Sequence, residues 1–525
     1  MMQTARQSNR LLRSTLPLLR TTGRPTRTSQ IVPACRRCES TSSSHPLAGQ
    51  DSFNQQQAST GLAGSSHDRG TTTRVPPTEL LTVLEETIKT HGPLPVPRFM
   101  ALCLNHPTLG YYTTRTVFGK EGDFITSPEI SQVFGELLGI WYVTQWLQQG
   151  APKKVRVVEL GPGRGTLLAD VLRTFKSLPA HSSPPVTSIH LVEQSEALQG
   201  VQKEALRKSG FGETPVYWHR NVEEVPKGED EFTVAIAHEF FDALPIHIFE
   251  NTEKGWREVL VDIADPKSSV LVSSEKKEPL RLVLSPTQTP ASALYSSLAQ
   301  ALLRESPIAQ SPTLHSAAPS PQTPLLNVDT TLPPPPSPSL SSTAQGRPGV
   351  KNLTAERFAR LPIGSRIEIS PSSYEIARGF ANLVEGGGAG LIIDYGDSKA
   401  FGRSWRGFRK HQVVDPLTEP GHTDLTANVD FSYLAEALSE FATPHGPLPQ
   451  SAFLTSLGLA PRLAALMKNA TSEERKKEID SSGKRLIDGL GMGGQYKVMG
   501  ITPKQHSEKG KGAKEECYPF DLEGI

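Results

Sequence analysis

At 525 residues the chain has room for two or three ordinary domains, but 44 Pro, 43 Gly and only 36% hydrophobic residues imply less ordered protein than that. The formal charge is +1 overall, yet residues 1–50 carry eight Arg, no Lys and one acid, Glu39, which puts +7 there and −6 on the remainder. No run of about 18 apolar residues occurs, so no membrane-spanning helix is expected, and four cysteines supply neither a disulfide framework nor a metal site.

In chain order, residues 1–40 come first. "MMQTARQSNRLLRSTLPLLRTTGRPTRTSQ" is rich in Arg, Ser, Thr and Leu and free of acids, the marks of a mitochondrial transit peptide. It lacks the apolar core of a secretory signal. A disordered nucleic-acid-binding arm is the rival reading, but the basic excess stops with the leader and no nucleic acid is expected as a partner. "CRRC" at Cys35–Cys38 resembles half a zinc site without its second pair. Residues 41–77 read as a Ser/Gln/Gly-rich linker.

Residues 78–150 form an N-terminal helical segment: two helices parted by a Pro/Gly break, then a polar loop and an amphipathic helix from about Ser127 to Leu147. Cys103 falls in an apolar helical stretch and suits a core position.

The first part of an α/β core spans residues 151–284. In "VRVVELGPGRGTLLADVLR", Val155–Leu160 is a short apolar run suited to a buried parallel strand. Gly161, Gly163 and Gly165 then crowd one turn before a helix whose free amides face whatever sits above it. The dinucleotide fingerprint places its third glycine one residue later, and Glu159 would repel a pyrophosphate. A cationic ligand reverses that judgement. S-adenosylmethionine carries a sulfonium and an ammonium, so this acidic form of the turn favours the methyl donor over NAD; a tight structural turn is the bland alternative. Glu193, closing the strand Ile189–Val192, suits the adenosine ribose hydroxyls, or else only caps a helix. Its spacing of about thirty residues from the glycines exceeds the usual ~20, and the polar insert "SLPAHSSPPVTS" accounts for the excess.

"TPVYWH" and "FTVAIAHEFFDALPI" continue the strands, and "IHIFENTEKGWREVLVDI" suggests a hairpin. Residues 285–350, with "LPPPPSPSL", read as a disordered insertion. The core resumes over 351–503 with a helix at "SSYEIARGFANLVEGGG", a strand at "AGLIIDYGD", helices at "DFSYLAEALSEF" and "QSAFLTSLGLAPRLAALMKNA", and a last strand at "QYKVMGITP". A charged tail, 504–525, follows. Strand alternating with helix implies a mostly parallel sheet with its ligands beyond the strands' C-terminal ends. Glu159, Glu193, Glu239, Asp242, Asp394 and Asp397 all stand at or just after such ends, which is the best internal sign of a site.

Seven stretches, "HPTLGYY", "GDFITSPEISQVFGE", "VELGPGRG", "HLVEQS", "AHEFFDALP", "LIIDYGD" and "GHTDLTANVDFS", run in order across residues 106–432. Together they resemble the MidA-like methyltransferases, whose mitochondrial members are protein arginine methyltransferases needed to assemble respiratory complex I. The resemblance implies a Rossmann-like, seven-stranded methyltransferase core with N-terminal helical elements. It also implies a matrix location and symmetric dimethylation of an arginine in the complex I 49-kDa subunit, with assembly intermediates as partners. His238 stands where Asn is commoner in the family, and the Pro-rich insertion is long; neither touches the glycine turn.

Arginine enters such a reaction charged, since its pKa exceeds ~12. Paired carboxylates can hold its planar guanidinium and turn one nitrogen toward the methyl group. Glu239 and Asp242 are the first choice for that pair, the alternative being that one caps the turn at "DALP". Asp123 and Glu129 can instead come over the site as a lid, and Ser127–Pro128–Glu129 is equally an ordinary helix start. His422 and Asp424 make a third polar cluster, in which a histidine can accept a proton. A non-catalytic assembly scaffold that keeps its cofactor pocket is the alternative function, and an NAD-dependent oxidoreductase a third.

Overall fold

The computed structural model describes residues 78–114, 126–228, 230–264, 279–305, 353–504 and 517–522. The expected leader, the linker and Asp123 lie outside them, as do 306–350 of the insertion and most of the tail.

Seven strands build the main sheet: β1 (Val155–Leu160), β2 (Val186–Val192), β3 (Val216–His219), β4 (Phe232–His238), β5 (Gly388–Asp397), β6 (Ala442–Pro449) and β7 (Tyr496–Pro503). Their order is β3-β2-β1-β4-β5-β7-β6. The first five run parallel, and β7 is antiparallel to both neighbours. A two-residue strand, Val429–Asp430, pairs with the end of β5. This is the Rossmann-like methyltransferase core expected from the motifs. The order reverses between β1 and β4, and the crevice above that point is where such sheets take ligands.

Burial follows from the strands' composition. β1 and β4 are buried at every residue, so side chains on both faces need cover. On one face Val155, Val157, Val234 and Ile236 meet α3 (Gln132–Gln148) and α4 (Thr166–Ser177). On the other, Val158, Leu160, Ala235 and Ala237 meet α6 (Pro371–Val384) and α7 (Phe431–Leu438). α5 (Glu196–Lys208) follows β2.

An antiparallel sheet adjoins the core, with the expected hairpin His247–Thr252/Gly255–Ile263 at its centre and Arg366–Ile369 and Leu94–Pro95 on its flanks. Helices α1 (Glu79–His91) and α2 (Val96–Asn105) share its apolar cluster, and Cys103 is buried there. Among the described residues no helix is long and apolar enough to cross a membrane.

Three expectations need correction. The helix expected from Ser127 to Leu147 is broken at Ser131, whose extended backbone (φ −158°) separates a short turn, Ser127–Ile130, from α3. Nor is α3 amphipathic. It buries Phe134, Leu138, Trp141 and Tyr142 around its girth, since Tyr142 donates to the Ala235 carbonyl in the sheet (2.6 Å) while Trp141 donates to Tyr518 O (2.8 Å). Part of the segment expected to be disordered is a helix, Pro290–Glu305, whose Tyr295 ring lies 5.2 Å from Phe358 and 5.6 Å from Phe249.

β5 begins under a tight constraint. Gly388 has φ +141°, and a β-carbon on it would stand 2.3 Å from the Thr233 carbonyl oxygen. The Gln149 amide, just past α3, donates to Gly388 O (2.7 Å) and accepts from Gly388 N–H (2.9 Å). Gly388→Ala should cost about 3 kcal/mol, combining backbone strain with a clash against main chain. Chemical denaturation with an unchanged midpoint would show that β5 can shift to accept the methyl group.

Candidate active site

β1 delivers its chain into a turn that only glycine tolerates well: Gly161, Gly163 and Gly165 have φ of +60°, +51° and +77°. Gly161 N–H donates to Val192 O (3.0 Å), and a β-carbon at Gly161 would lie 2.8 Å from a ring carbon of Phe240. Gly165 then caps α4. Glu193, just beyond β2, accepts from Ser195 N–H at Oε1 (2.8 Å) and from the Gln202 amide at Oε2 (3.1 Å). The same Gln202 nitrogen donates to the Gly163 carbonyl (2.8 Å), and its oxygen accepts from Trp218 Nε1 (2.9 Å). One fully buried side chain therefore ties the glycine turn to the acid at the next strand. Sequence reasoning missed it. The available signal was that Gln202 shares α5's buried stripe with Leu206, four residues on.

Glu159 completes this half of the site. It is buried in β1, its Oε2 has no hydrogen-bond partner, and burial pushes its carboxyl up to about 8. A buried acid without a partner is costly and suits a cationic ligand. The residues fit S-adenosylmethionine: open glycine backbone, Glu159 for positive charge, and Glu193 with acceptor capacity left on both oxygens.

The other half of the site is organised by Asp394, fully buried in β5. Its Oδ2 accepts three successive main-chain N–H groups from the turn after β4, at Phe240 (3.1 Å), Phe241 (2.9 Å) and Asp242 (3.3 Å), and its Oδ1 accepts from Tyr395 N–H (2.9 Å). That wrap forces Glu239 to φ +49°, a conformation uncommon outside glycine. Tyr496, first residue of β7, donates its hydroxyl to Glu239 Oε1 (2.7 Å). Glu239 and Asp242 are thereby brought together. Burial raises Glu239 to about 8, with the Tyr496 bond opposing and Asp242 adding to the rise. Burial raises Asp242 to about 6 against the charge of Arg406. Burial, then Asp242 and Glu239, push Asp394 well above the carboxylate range.

Arg406 is fixed from behind. Its Nη1 donates to Ser404 O (2.9 Å) and Asn428 Oδ1 (2.7 Å), and its guanidinium lies over the rings of Tyr395 (5.6 Å) and Phe408 (5.3 Å). Buried Glu368 holds that segment by accepting from Ser404 N–H (2.8 Å) and Trp405 N–H (3.2 Å). Tyr112 donates to Asp424 (2.9 Å), and the charges of both Asp424 and Asp242 act on it. Asp424 thus reaches the site; the backbone N–H of His422 donates to Glu419 O (2.9 Å). Glu129 stands between the two halves: burial raises its pKa, the Thr126 backbone and Arg164 of the glycine turn oppose that rise, and its own charge raises the pKa of Glu239. His238 lies 5.2 Å from the Phe134 ring, and burial pushes it down to about 3, so it is neutral. Asp397 accepts from Ser398 N–H (2.8 Å), capping the next turn. Among the described residues no group of His, Cys, Asp and Glu is arranged to hold a metal.

A family model of S-adenosyl-L-methionine-dependent methyltransferases matches residues 137–448. The mouse protein arginine methyltransferase NDUFAF7, mitochondrial, is 33% identical over 461 residues, covering 84% of this chain and 88% of its own. Its human namesake is 33% identical over 454 residues (83% and 86%), and the Drosophila melanogaster homolog 35% over 443 (80% and 84%). Among solved structures, a COG1565 superfamily member from Burkholderia thailandensis bound to S-adenosyl-homocysteine is 21% identical. It aligns with a TM-score of 0.56 over 81% of this chain and 91% of that chain, which shows a shared fold. The chain belongs to the MidA-like family of S-adenosylmethionine-dependent methyltransferases.

The orphaned acid at Glu159 makes a stability prediction. Its folded-state pKa, about 8, lies above the unfolded value of about 4.3, so between those limits the folded protein binds more protons. Stability of the cofactor-free protein should therefore fall as pH rises across that window, by on the order of 2–4 kcal/mol for this group, with Glu239 adding to the slope. Glu159→Gln should flatten the dependence and raise the denaturation midpoint at pH 8. Calorimetry should show cofactor affinity weakened by ~10-fold or more. Unchanged affinity would remove Glu159 from the donor site.

Proposed function

We propose that this chain is a protein arginine N-methyltransferase of the mitochondrial matrix that symmetrically dimethylates an arginine of the complex I 49-kDa subunit during assembly of that complex. The observation that carries the reading is the pairing of Glu239 and Asp242 on the strained turn beside the glycine loop. Relatives named as mitochondrial protein arginine methyltransferases support the acceptor class. The sequence resemblance supplies the subunit and the symmetric product.

Bound S-adenosylmethionine supplies an electrophilic methyl group; alignment, charge and proton handling fall to the chain. Asp242, lower in pKa than Glu239, is the carboxylate that holds the cationic guanidinium. Glu239 is raised to about 8 by burial in the empty site; once the cationic guanidinium and sulfonium lie beside it the carboxylate form is favoured, and that carboxylate takes the proton the methylated nitrogen releases. The Tyr496 hydroxyl, on Oε1, helps hold that carboxyl in place. Phe240 packs its ring against the glycine turn, between the donor and acceptor sides. Asp394 fixes the spacing of both acids through three amides.

Methyl transfer from radiolabelled cofactor to the purified 49-kDa subunit tests this directly. Glu239→Gln should leave cofactor affinity nearly unchanged while turnover falls ~100-fold or more, as for loss of a well-placed electrostatic group. Asp242→Asn should behave likewise, and the double variant should cost less than the sum, because the two act as a unit. Normal methylation by the double variant would make the acids structural, and cofactor binding without any transfer would make the protein a scaffold. For location, the eight arginines before residue 51 carry the expectation: a fluorescent fusion lacking residues 1–50 should stay outside mitochondria. Entry of that fusion would refute the leader.

A further inference from the structure

A second feature lies within one turn of the acceptor acids. A cavity of about 440 Å3 opens between the turn Ser127–Ile130, the start of α3, and two helices inserted between β6 and β7, Leu459–Lys468 and Glu473–Ile487. Glu129 lines it, its charge is felt by Glu239, and the backbone of Ser127, two residues earlier, hydrogen-bonds Glu239. One short turn therefore borders both the cavity and the acid pair.

Its walls are built rather than incidental. Arg462 makes two bonds to Glu136 of α3 (2.7 and 3.0 Å), holding the first inserted helix against the core. The Gln450 amide donates to Leu486 O (2.9 Å), anchoring the second. Ile130, Leu466 and Ile479 give the lining apolar surface, Asn469 and Ser482 offer donors and acceptors, and Arg475 is paired with Glu478 (2.9 Å), which leaves Glu129 as the lining's acid outside that pair. That volume is typical of a small-ligand site and far too small for a folded partner. A mixed lining of this kind suits a stretch of extended chain, whose backbone needs hydrogen bonds and whose alternate side chains need apolar cover.

We propose that this groove seats the residues flanking the target arginine, in an extended segment of the protein acceptor, while the arginine passes Glu129 to reach Glu239 and Asp242. The inference rests on the arginine methyltransferase reading and assigns its substrate-recognition surface to the β6–β7 insertion. Acidic Glu129 in the groove's lining matches the charge of the side chain that must pass it.

Thr471→Trp and Ser482→Trp would fill the groove from different positions on its wall, and neither belongs to the donor turn or the acceptor acids. Thr471 is exposed, so that variant should fold even if the half-buried Ser482 does not tolerate the change. With the purified 49-kDa subunit as acceptor, each folded variant should raise KM ~10-fold or more, with kcat within about twofold of wild type, as for loss of uniform binding. Cofactor affinity by calorimetry should be that of wild type. An unchanged KM in Thr471→Trp, or a fall in kcat alone, would overturn the groove while leaving the arginine reading intact. Failure of the wild-type protein itself to methylate the subunit would overturn both.

Discussion

The acid cluster beside the glycine turn depends on one carboxylate receiving three consecutive amides. Asp394 is fully buried in β5, and the turn after β4 supplies the N–H groups it needs. Those amides would otherwise be buried donors without acceptors, at a cost of about 1–3 kcal/mol each. Each partner solves the other's problem, and the solution fixes the turn's shape. The positive φ of Glu239, the placement of Asp242 and the ring of Phe240 on the glycine turn are all consequences of that wrap.

Crowding three acids in one dry region raises their pKa values together, and like charges so close cannot all be present. The fold answers with unequal neighbours. Asp242 has the charge of Arg406, itself held by Ser404, Asn428 and two aromatic rings; Glu239 has neutral donors, the Tyr496 hydroxyl and the Ser127 backbone. Environments that separate the proton affinities of adjacent acids are how one site combines a charge-holder with a proton acceptor. Glu368, remote from the reacting groups, belongs to the same arrangement because it sets the segment from which Arg406 projects.

Much of this was legible in the residues, for identifiable reasons. Strands β1, β4 and β5 announce themselves as largely apolar runs because they are buried on both faces, and the glycine turn follows from chirality alone. β6 does not read as a strand, since Pro444, Pro447 and Pro449 remove ladder donors; it survives because it is an edge strand paired only to β7. The helix Pro290–Glu305 was lost by averaging composition over a Pro/Ser-rich stretch whose first third is Ala- and Leu-rich. Glu159, Glu193, Glu239 and Asp242 were placed by their positions at strand ends, a property of topology. Gln202, Arg406 and Tyr496 were not, because what brings them to the site is packing between segments far apart in the chain.

The Tyr496–Glu239 bond joins residues 257 positions apart, and β7, which begins at Tyr496, lies between β5 and β6 in the sheet. A chain emerging N-terminus first can therefore pair β1 to β5 early, but β6 has no neighbour until the last strand arrives. Closing so long a loop makes that insertion a late event in folding. The donor half, formed from β1, β2 and α5, is local by comparison. Cofactor capture and acceptor competence should thus be acquired at different times in the protein's own maturation: a nascent chain can hold its methyl donor before it is equipped to spend it.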